Sequence, residues 1–140
     1  MKKLFCLLLP LLVCPLAQAA TIEPGNWQTT VNMIMPGMPF TPPPRTLTQC
    51  ISAQQAARPM QDVAKDMQGS DCKLEDFSLA DGKGHWKMTC GGRHPSSGEG
   101  WISYENNKHY TSKTEMVMHD AGGGKMTITS DSKWLGPCTP

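Results

Sequence analysis

Apolar and polar residues alternate along much of the chain. In residues 27–35, Trp27, Val31 and Met33 fall on alternate positions and Gln28 falls between them. A period of two predicts a β-strand with one buried face. The same criterion, with the turn signals between segments, predicts further strands over 45–51, 72–79, 85–90, 100–105, 109–119 and 126–134.

Short turns separate these segments. Asp81-Gly82 is a strong hairpin signal, and turns are also predicted at Asn106-Asn107 and at residues 122–124. Residues 91–98, which are rich in glycine and serine, are predicted to form a loop. No alternation of strands with helices is present, which argues against a parallel sheet. We therefore predict a mainly β fold, an antiparallel meander of about six or seven strands curled into a sandwich or half-barrel.

One short helix interrupts the strand pattern. Ser52 stands three residues before Gln55, the spacing of a capping box, and Pro59 is expected to end or kink this helix. A second helical turn is predicted over residues 61–67. Residues 36–44 contain several prolines, which cannot donate to a strand ladder, and are predicted to form an ordered loop with polyproline character.

The amino terminus has the pattern of a secretory signal peptide. Two lysines precede an apolar run over residues 4–16, and Ala17-Gln18-Ala19 matches a cleavage site. The run is too short to span a bilayer comfortably. A lipid anchor at Cys14 is the alternative, but Val13 is not the small residue expected there. We predict a signal peptide over 1–19 and a single β-rich domain over 20–140, in the periplasm of a Gram-negative bacterium or secreted.

Four cysteines remain after the predicted leader, and an even number in an exported chain predicts two disulfides. The chain has no Cys-x-x-Cys motif, so the cysteines do not indicate a metal site. Cys72 and Cys90 fall almost opposite each other in the hairpin around Gly82, which favours bridges Cys72–Cys90 and Cys50–Cys138. The sequence by itself still allows three connectivities.

Charge and motifs exclude several functions. The chain has 13 basic and 12 acidic residues, scattered singly, so no nucleic-acid surface is indicated. Ser96 and Ser97 stand near His94, but sequence adjacency does not make a triad and no nucleophile elbow is present. We therefore predict that the protein is not an enzyme.

Methionine is the residue type that most suggests a cofactor. Nine of the ten methionines lie beyond the predicted leader. Thioethers with an imidazole suit Cu(I), and the candidate ligands are Met33, Met35, Met38, Met116, Met118 and His119. The competing interpretation is that these methionines fill a core poor in aromatic residues.

Several motifs together resemble a known family. They are Pro24-Gly25-Asn26-Trp27, Met33 and Met35 leading into residues 36–39, Thr48-Gln49-Cys50, Trp86 to Cys90, Gly98-Glu99-Gly100 with Tyr104, and Leu135-Gly136-Pro137-Cys138. The set is similar to an exported proteobacterial family catalogued as domain of unknown function 3617. Lys133-Trp134 departs from the basic pair expected there. The resemblance implies a secreted or periplasmic domain with paired cysteines and implies no activity.

The leading functional prediction is a non-catalytic binding or interaction domain of the cell envelope. Apolar residues in an otherwise proline-rich loop favour docking, so Pro36, Met38 and Phe40 are the candidate contact residues. The alternatives are a periplasmic copper-binding protein and a binder of a small apolar ligand inside a curled sheet. After cleavage of the leader, no membrane segment is expected.

Overall fold

The computed structural model describes residues 22–59, 62, 71–120 and 122–139. The predicted signal peptide and the predicted helical turn over 61–67 lie outside the described residues, apart from Asp62. The elements are β1 (Gly25–Ile34), β2 (Arg45–Ile51), α1 (Ala53–Ala56), β3 (Cys72–Ala80), β4 (Lys83–Cys90), β5 (Ser96–Asn106), β6 (His109–Met118) and β7 (Lys125–Gly136).

The seven strands form one open antiparallel sheet in the order β2-β1-β7-β6-β5-β4-β3. The mainly β prediction is confirmed, as a single sheet and not a sandwich. From β3 to β7 the chain is a simple meander, and β1 then pairs with β7 to bring the first hairpin alongside the last strand. The two edges are therefore β2 and β3.

The local signals explain most element boundaries. Asp81 and Gly82 both have positive φ, 50° and 71°, as a two-residue hairpin turn requires. At α1, the Ser52 hydroxyl accepts a hydrogen bond from the backbone N–H of Gln55, and the Gln55 side-chain oxygen accepts one from the backbone N–H of Ser52. The predicted capping box is confirmed.

The start of β5 was predicted wrongly. Residues 91–98 were expected to be a loop, but β5 begins at Ser96. Gly98 is a glycine because the sheet is crowded there, not because the chain turns. A Cβ at Gly98 would collide with the Glu115 carbonyl and the Met116 sulfur on the neighbouring strand. A glycine inside a strand marks such a close approach.

Alternate residues of each strand define two faces, and directly paired residues share a face. The apolar face carries Trp27 and, paired with it, Trp134. Trp27 is 1% exposed and forms a buried cluster with Ile51 of β2 and Ala56 of α1. Partly buried side chains pack against this cluster: Ile22, Tyr110 and Trp134. The helix therefore covers one end of the apolar face.

Aromatic contacts extend this cluster across the sheet. The ring centroids of Trp27 and Tyr110 are 5.3 Å apart, and those of Tyr110 and Tyr104 are 5.5 Å apart. Burial raises the pKa of Tyr104 well above its usual range, and the neighbouring Tyr110 adds to the shift.

Both predicted disulfides are confirmed. Cys72 and Cys90 are directly paired at the open end of the β3–β4 hairpin. Cys50 bonds to Cys138 with their Cα atoms 5.6 Å apart. Because β1 lies between β2 and β7, this second bridge spans β1 and fastens the edge strand β2 to the end of the chain.

Candidate functional site

The second face of the sheet, the polar face, carries one conspicuous aromatic side chain. In β5 the apolar parity holds Ile102 and Tyr104, whereas Trp101 falls on the polar parity and is 37% exposed. The alternation in the sequence already contains this signal, since Trp101 is out of phase with its strand. Trp101 is not among the site residues predicted from the sequence.

The strand register surrounds Trp101 with polar residues. Trp101 pairs directly with His85 of β4 and with Lys113 of β6. Lys113 pairs with Thr129 of β7, which pairs with Asn32 of β1. The five residues therefore form one row across five strands, which we call the Trp101 row.

Contacts within the row hold the indole in place. The His85 and Trp101 ring centroids are 5.4 Å apart, and the Lys113 ammonium lies 5.9 Å from the indole centroid. The second distance is within the range of a cation–π contact. The Trp101 side chain is thus supported from both neighbouring strands while part of it stays accessible.

Two adjoining grooves on the polar face meet at this residue. The first groove has a volume of about 480 Å³ and is lined by β1, β7, β6, β5 and β4. Its lining residues include Asn32, Lys83 and Asp131. The second, of about 650 Å³, continues over β3 to β6 and includes Glu75 and Ser97. Trp101 lines both. Together they form a surface depression that runs across the strands.

Several charged side chains along these grooves contact a polar or oppositely charged neighbour. Glu99 and Glu115 lie directly opposite each other, an arrangement that is unfavourable for like charges. His85 contacts the Glu99 carboxylate at 3.3 Å, and the Lys113 ammonium contacts Glu115 at 2.5 Å. In the next row, Asp131 contacts His109 at 3.2 Å. The polar face therefore has many polar groups but no strong field of one sign.

A serine–histidine pair lies at the end of the second groove. The Ser97 hydroxyl is 2.7 Å from Nε2 of His119, and His94 contacts Asp120 at 3.2 Å. The sequence had placed Ser97 near His94, but the pairing of β5 with β6 brings it to His119 instead. Only the long-range register, in which Ser97 opposes Val117, determines this contact.

The structure separates the candidate copper ligands. Met116 and Met118 lie on the apolar face, where Met116 is 8% exposed and its sulfur lies over Gly98. His119 follows them on the opposite parity and contacts Ser97. The remaining candidates lie in or just after β1: Met33 pairs with Ile128, Met35 follows the strand, and Met38 is in the loop.

Metal binding therefore stays a prediction. Met33 and Met116 belong to strands on opposite sides of β7, so they are not neighbours in the sheet. Within the described ranges, no group of three or more His, Cys, Asp or Glu side chains could hold a metal ion. Thioether sulfurs are not among these side chains. Likewise, an apolar ligand on the methionine-bearing face stays a prediction.

The predicted interaction loop is exposed at its apolar residues. Met38 and Phe40 are 45% and 61% exposed, and Pro36 is also exposed. Ile34 at the end of β1 and Leu47 in β2 are 52% and 61% exposed. We call Ile34, Met38, Phe40 and Leu47 the hairpin surface, since all four belong to β1, β2 or the loop that joins them. By strand parity Ile34 lies on the polar face and Leu47 on the apolar face, so this surface includes both sides of the hairpin.

Comparisons with known proteins give a family and no function. No helix among the described residues is long and apolar enough to cross a membrane. No curated protein and no solved structure matches the chain. A family model described as Protein of unknown function (DUF3617) matches residues 22–138, a range that includes every strand of the sheet. The resemblance seen in the sequence is thereby confirmed, and the chain belongs to the DUF3617 family.

Proposed function

We propose that this protein is an exported, non-catalytic binding domain of the bacterial cell envelope, and that it accepts a β-strand from a partner protein along β2. The observation that carries the proposal is the hairpin surface. Four of the seven large hydrophobic side chains that are exposed in the described residues belong to it. Exposed apolar side chains on both faces of an edge hairpin suit a partner strand, whose own side chains would alternate between the two faces.

The free edge of β2 specifies the kind of partner. β2 has a hydrogen-bonded neighbour on one side only, β1. An edge strand presents unpaired backbone N–H and C=O groups, and proteins protect such edges with charges, prolines or bulges when no partner is intended. Within β2, the only charged residue is Arg45 at its beginning, and the register with β1 is regular.

The opposite edge of the sheet, β3, has the protective features that β2 lacks. β3 has a bulge between Glu75 and Ser78, and Asp76 within it has a φ of 51°. Lys73 and Glu75 add charges along the strand. Since one edge is protected and the other is not, the difference supports strand addition at β2.

The disulfide at β2 supports a binding role as well. Cys50 bonds to Cys138 and fastens the edge strand to the rest of the sheet. A strand that is already held in its extended conformation loses less conformational entropy when a partner binds. The bridge therefore makes β2 a preformed template. Paired cysteines are also typical of exported proteins, which supports the envelope location.

Hydrogen exchange tests strand addition directly. Alternate amides of residues 45–51 face away from β1. We expect these outward-facing amides to exchange much more slowly in the complex purified from the bacterial envelope than in the free protein, because the partner strand bonds them. The amides of the other edge, residues 72–80, should be unchanged. Native mass spectrometry of the same sample gives the mass of the partner and distinguishes it from a second copy of the chain.

A matched pair of variants completes this test. Leu47→Lys places a charge on the free edge and should abolish the complex, whereas Leu135→Lys places the same charge on another exposed leucine, at the end of β7, and should keep it. A complex that leaves residues 45–51 unprotected, or that survives Leu47→Lys, contradicts the proposal. Failure to isolate any heterologous partner with the wild-type protein contradicts it too.

The non-catalytic part of the proposal makes a separate prediction at Ser97. Activation of a serine needs a histidine that is oriented by a third group, and the carboxylate next to His119 in the chain, Asp120, contacts His94. We expect no covalent adduct after incubation with a fluorophosphonate, measured by intact mass. An adduct that maps to Ser97 and disappears in His119→Ala would show that the pair is a reactive nucleophile.

A further inference from the structure

We propose that the Trp101 row forms a binding site for a neutral oligosaccharide. The site lies on the polar face, away from the free edge of β2, so it is independent of the strand-addition proposal. The argument depends on the shape of the two grooves, on the kind of groups they offer and on their charge.

The shape favours an extended ligand. The two grooves meet at Trp101. Together they are lined by six adjacent strands of the sheet, in the order β1, β7, β6, β5, β4 and β3. With neighbouring strands about 4.8 Å apart, the depression crosses the sheet over about 24 Å. Such a surface suits a linear molecule of several units and not a single small metabolite.

The floor of the grooves excludes recognition of a ligand backbone by strand pairing. It is the face of a sheet, where backbone groups of the central strands are already bonded to neighbouring strands on both sides. Only side chains are available to a ligand here. In the first groove these are amide, hydroxyl and charged groups around one indole, such as Asn32, Ser103 and Thr111.

This combination matches the surface of a sugar. A pyranose ring has apolar C–H faces, which pack on an aromatic ring, and a rim of hydroxyl groups, which both donate and accept hydrogen bonds. Trp101 offers the exposed aromatic surface. The threonine and serine hydroxyls and the Asn32 amide can each donate and accept as well. A few polar groups placed around an apolar platform are typical of ligand sites.

The charge pattern favours an uncharged sugar. The Glu115 carboxylate contacts the Lys113 ammonium, and the Glu99 carboxylate contacts the His85 ring. The second groove is lined by three carboxylates, Glu75, Glu99 and Glu115, and by one cation, Lys87, so an acidic ligand would meet an excess of negative charge there. A neutral oligosaccharide avoids this repulsion and leaves the Lys113–Glu115 pair intact.

The test uses the protein purified from its own envelope and a β-1,4-linked tetramer of N-acetylglucosamine as the probe. We expect saturable binding by calorimetry, and amide chemical-shift changes that centre on Trp101, Thr111 and Thr129 while residues 45–51 stay unshifted. Trp101→Ala should weaken binding about tenfold or more, since loss of about 1.4 kcal/mol of packing corresponds to that factor. Trp101→Phe, which keeps an aromatic ring, should retain most of it.

Three comparisons make the result decisive. Leu135→Ala removes an exposed apolar side chain that lines neither groove, and it should bind as the wild type does. An acidic tetrasaccharide of galacturonate and a neutral extended heptapeptide should bind more weakly than the probe. Absence of saturable binding to the probe, affinity that is unchanged in Trp101→Ala, or preference for the acidic sugar or the peptide would each overturn the proposal.

Discussion

Trp27→Ala is expected to lower the free energy of unfolding by about 3–5 kcal/mol, the usual cost of truncating a large buried aromatic side chain. Trp27 is 1% exposed and is the largest fully buried side chain of the described residues. It joins β1 to Ile51 of β2, to Ala56 of α1 and to Tyr110 of β6. One substitution therefore loosens contacts among four elements.

A hydrogen bond adds to this cost. The indole Nε1 of Trp27 donates to the Glu23 carbonyl at 2.8 Å, and this bond holds the segment before β1 against the sheet. Ile22, in the same segment, packs on the cluster. Trp27→Phe keeps a ring beside Tyr110 but loses the hydrogen-bond donor. Its free energy of unfolding should therefore lie between those of the wild type and Trp27→Ala.

Urea unfolding of the oxidised protein measures this effect. Typical domains are stable by about 5–15 kcal/mol, so Trp27→Ala should shift the midpoint strongly or leave the chain largely unfolded. The matched control is Trp101→Ala, which removes the same side chain from the exposed face and should cost about 1 kcal/mol or less. Equal losses for the two tryptophans would show that the Trp27 cluster is not the main core.

Removal of the Cys50–Cys138 bridge is the second large effect. The two cysteines are 88 residues apart in the chain, and the loop-entropy relation then gives about 4–5 kcal/mol for the double variant Cys50→Ala, Cys138→Ala. The bridge also holds the edge strand β2, which has only one hydrogen-bonded neighbour. We therefore expect the amides of residues 45–51 to exchange faster in this variant.

The second disulfide provides the comparison. Cys72 and Cys90 are 18 residues apart, so the variant Cys72→Ala, Cys90→Ala should lose about 3 kcal/mol by the same relation. Denaturant unfolding of both double variants without reductant ranks the two bridges. If the short bridge proves the more stabilising, constraint of the unfolded chain is not the main contribution of these disulfides.

The local features of this fold could be predicted from the sequence because the residues that determine them are close together in the chain. The Asp81-Gly82 turn needs two residues that tolerate positive φ. The capping box needs only Ser52 and Gln55. Cys72–Cys90 follows from the register of one hairpin. In each case the interacting groups are neighbours in a single turn or hairpin, so the sequence pattern is sufficient.

The beginning of β5 shows where local patterns mislead. Glycine, proline and serine in residues 91–98 are typical of a loop, and for most of that stretch the interpretation was correct. Gly98 nevertheless lies within the strand, because Met116 of the next strand occupies the space that a side chain would take. The neighbour that explains the glycine is 18 residues away, so no local pattern contains it.

The sequence by itself determined the strands apart from the start of β5, the helix cap and the inward parity, and it favoured the pairing of the cysteines that the structure has. Only the tertiary structure decided that β1 lies between β2 and β7, and this placement leaves β2 as the free edge. It likewise decided that Ser97 contacts His119, and that Asn32 and His85 share one row with Trp101. The physical reason is that alternation and turn chemistry act within a few residues, whereas strand order depends on which apolar faces pack best across the whole chain.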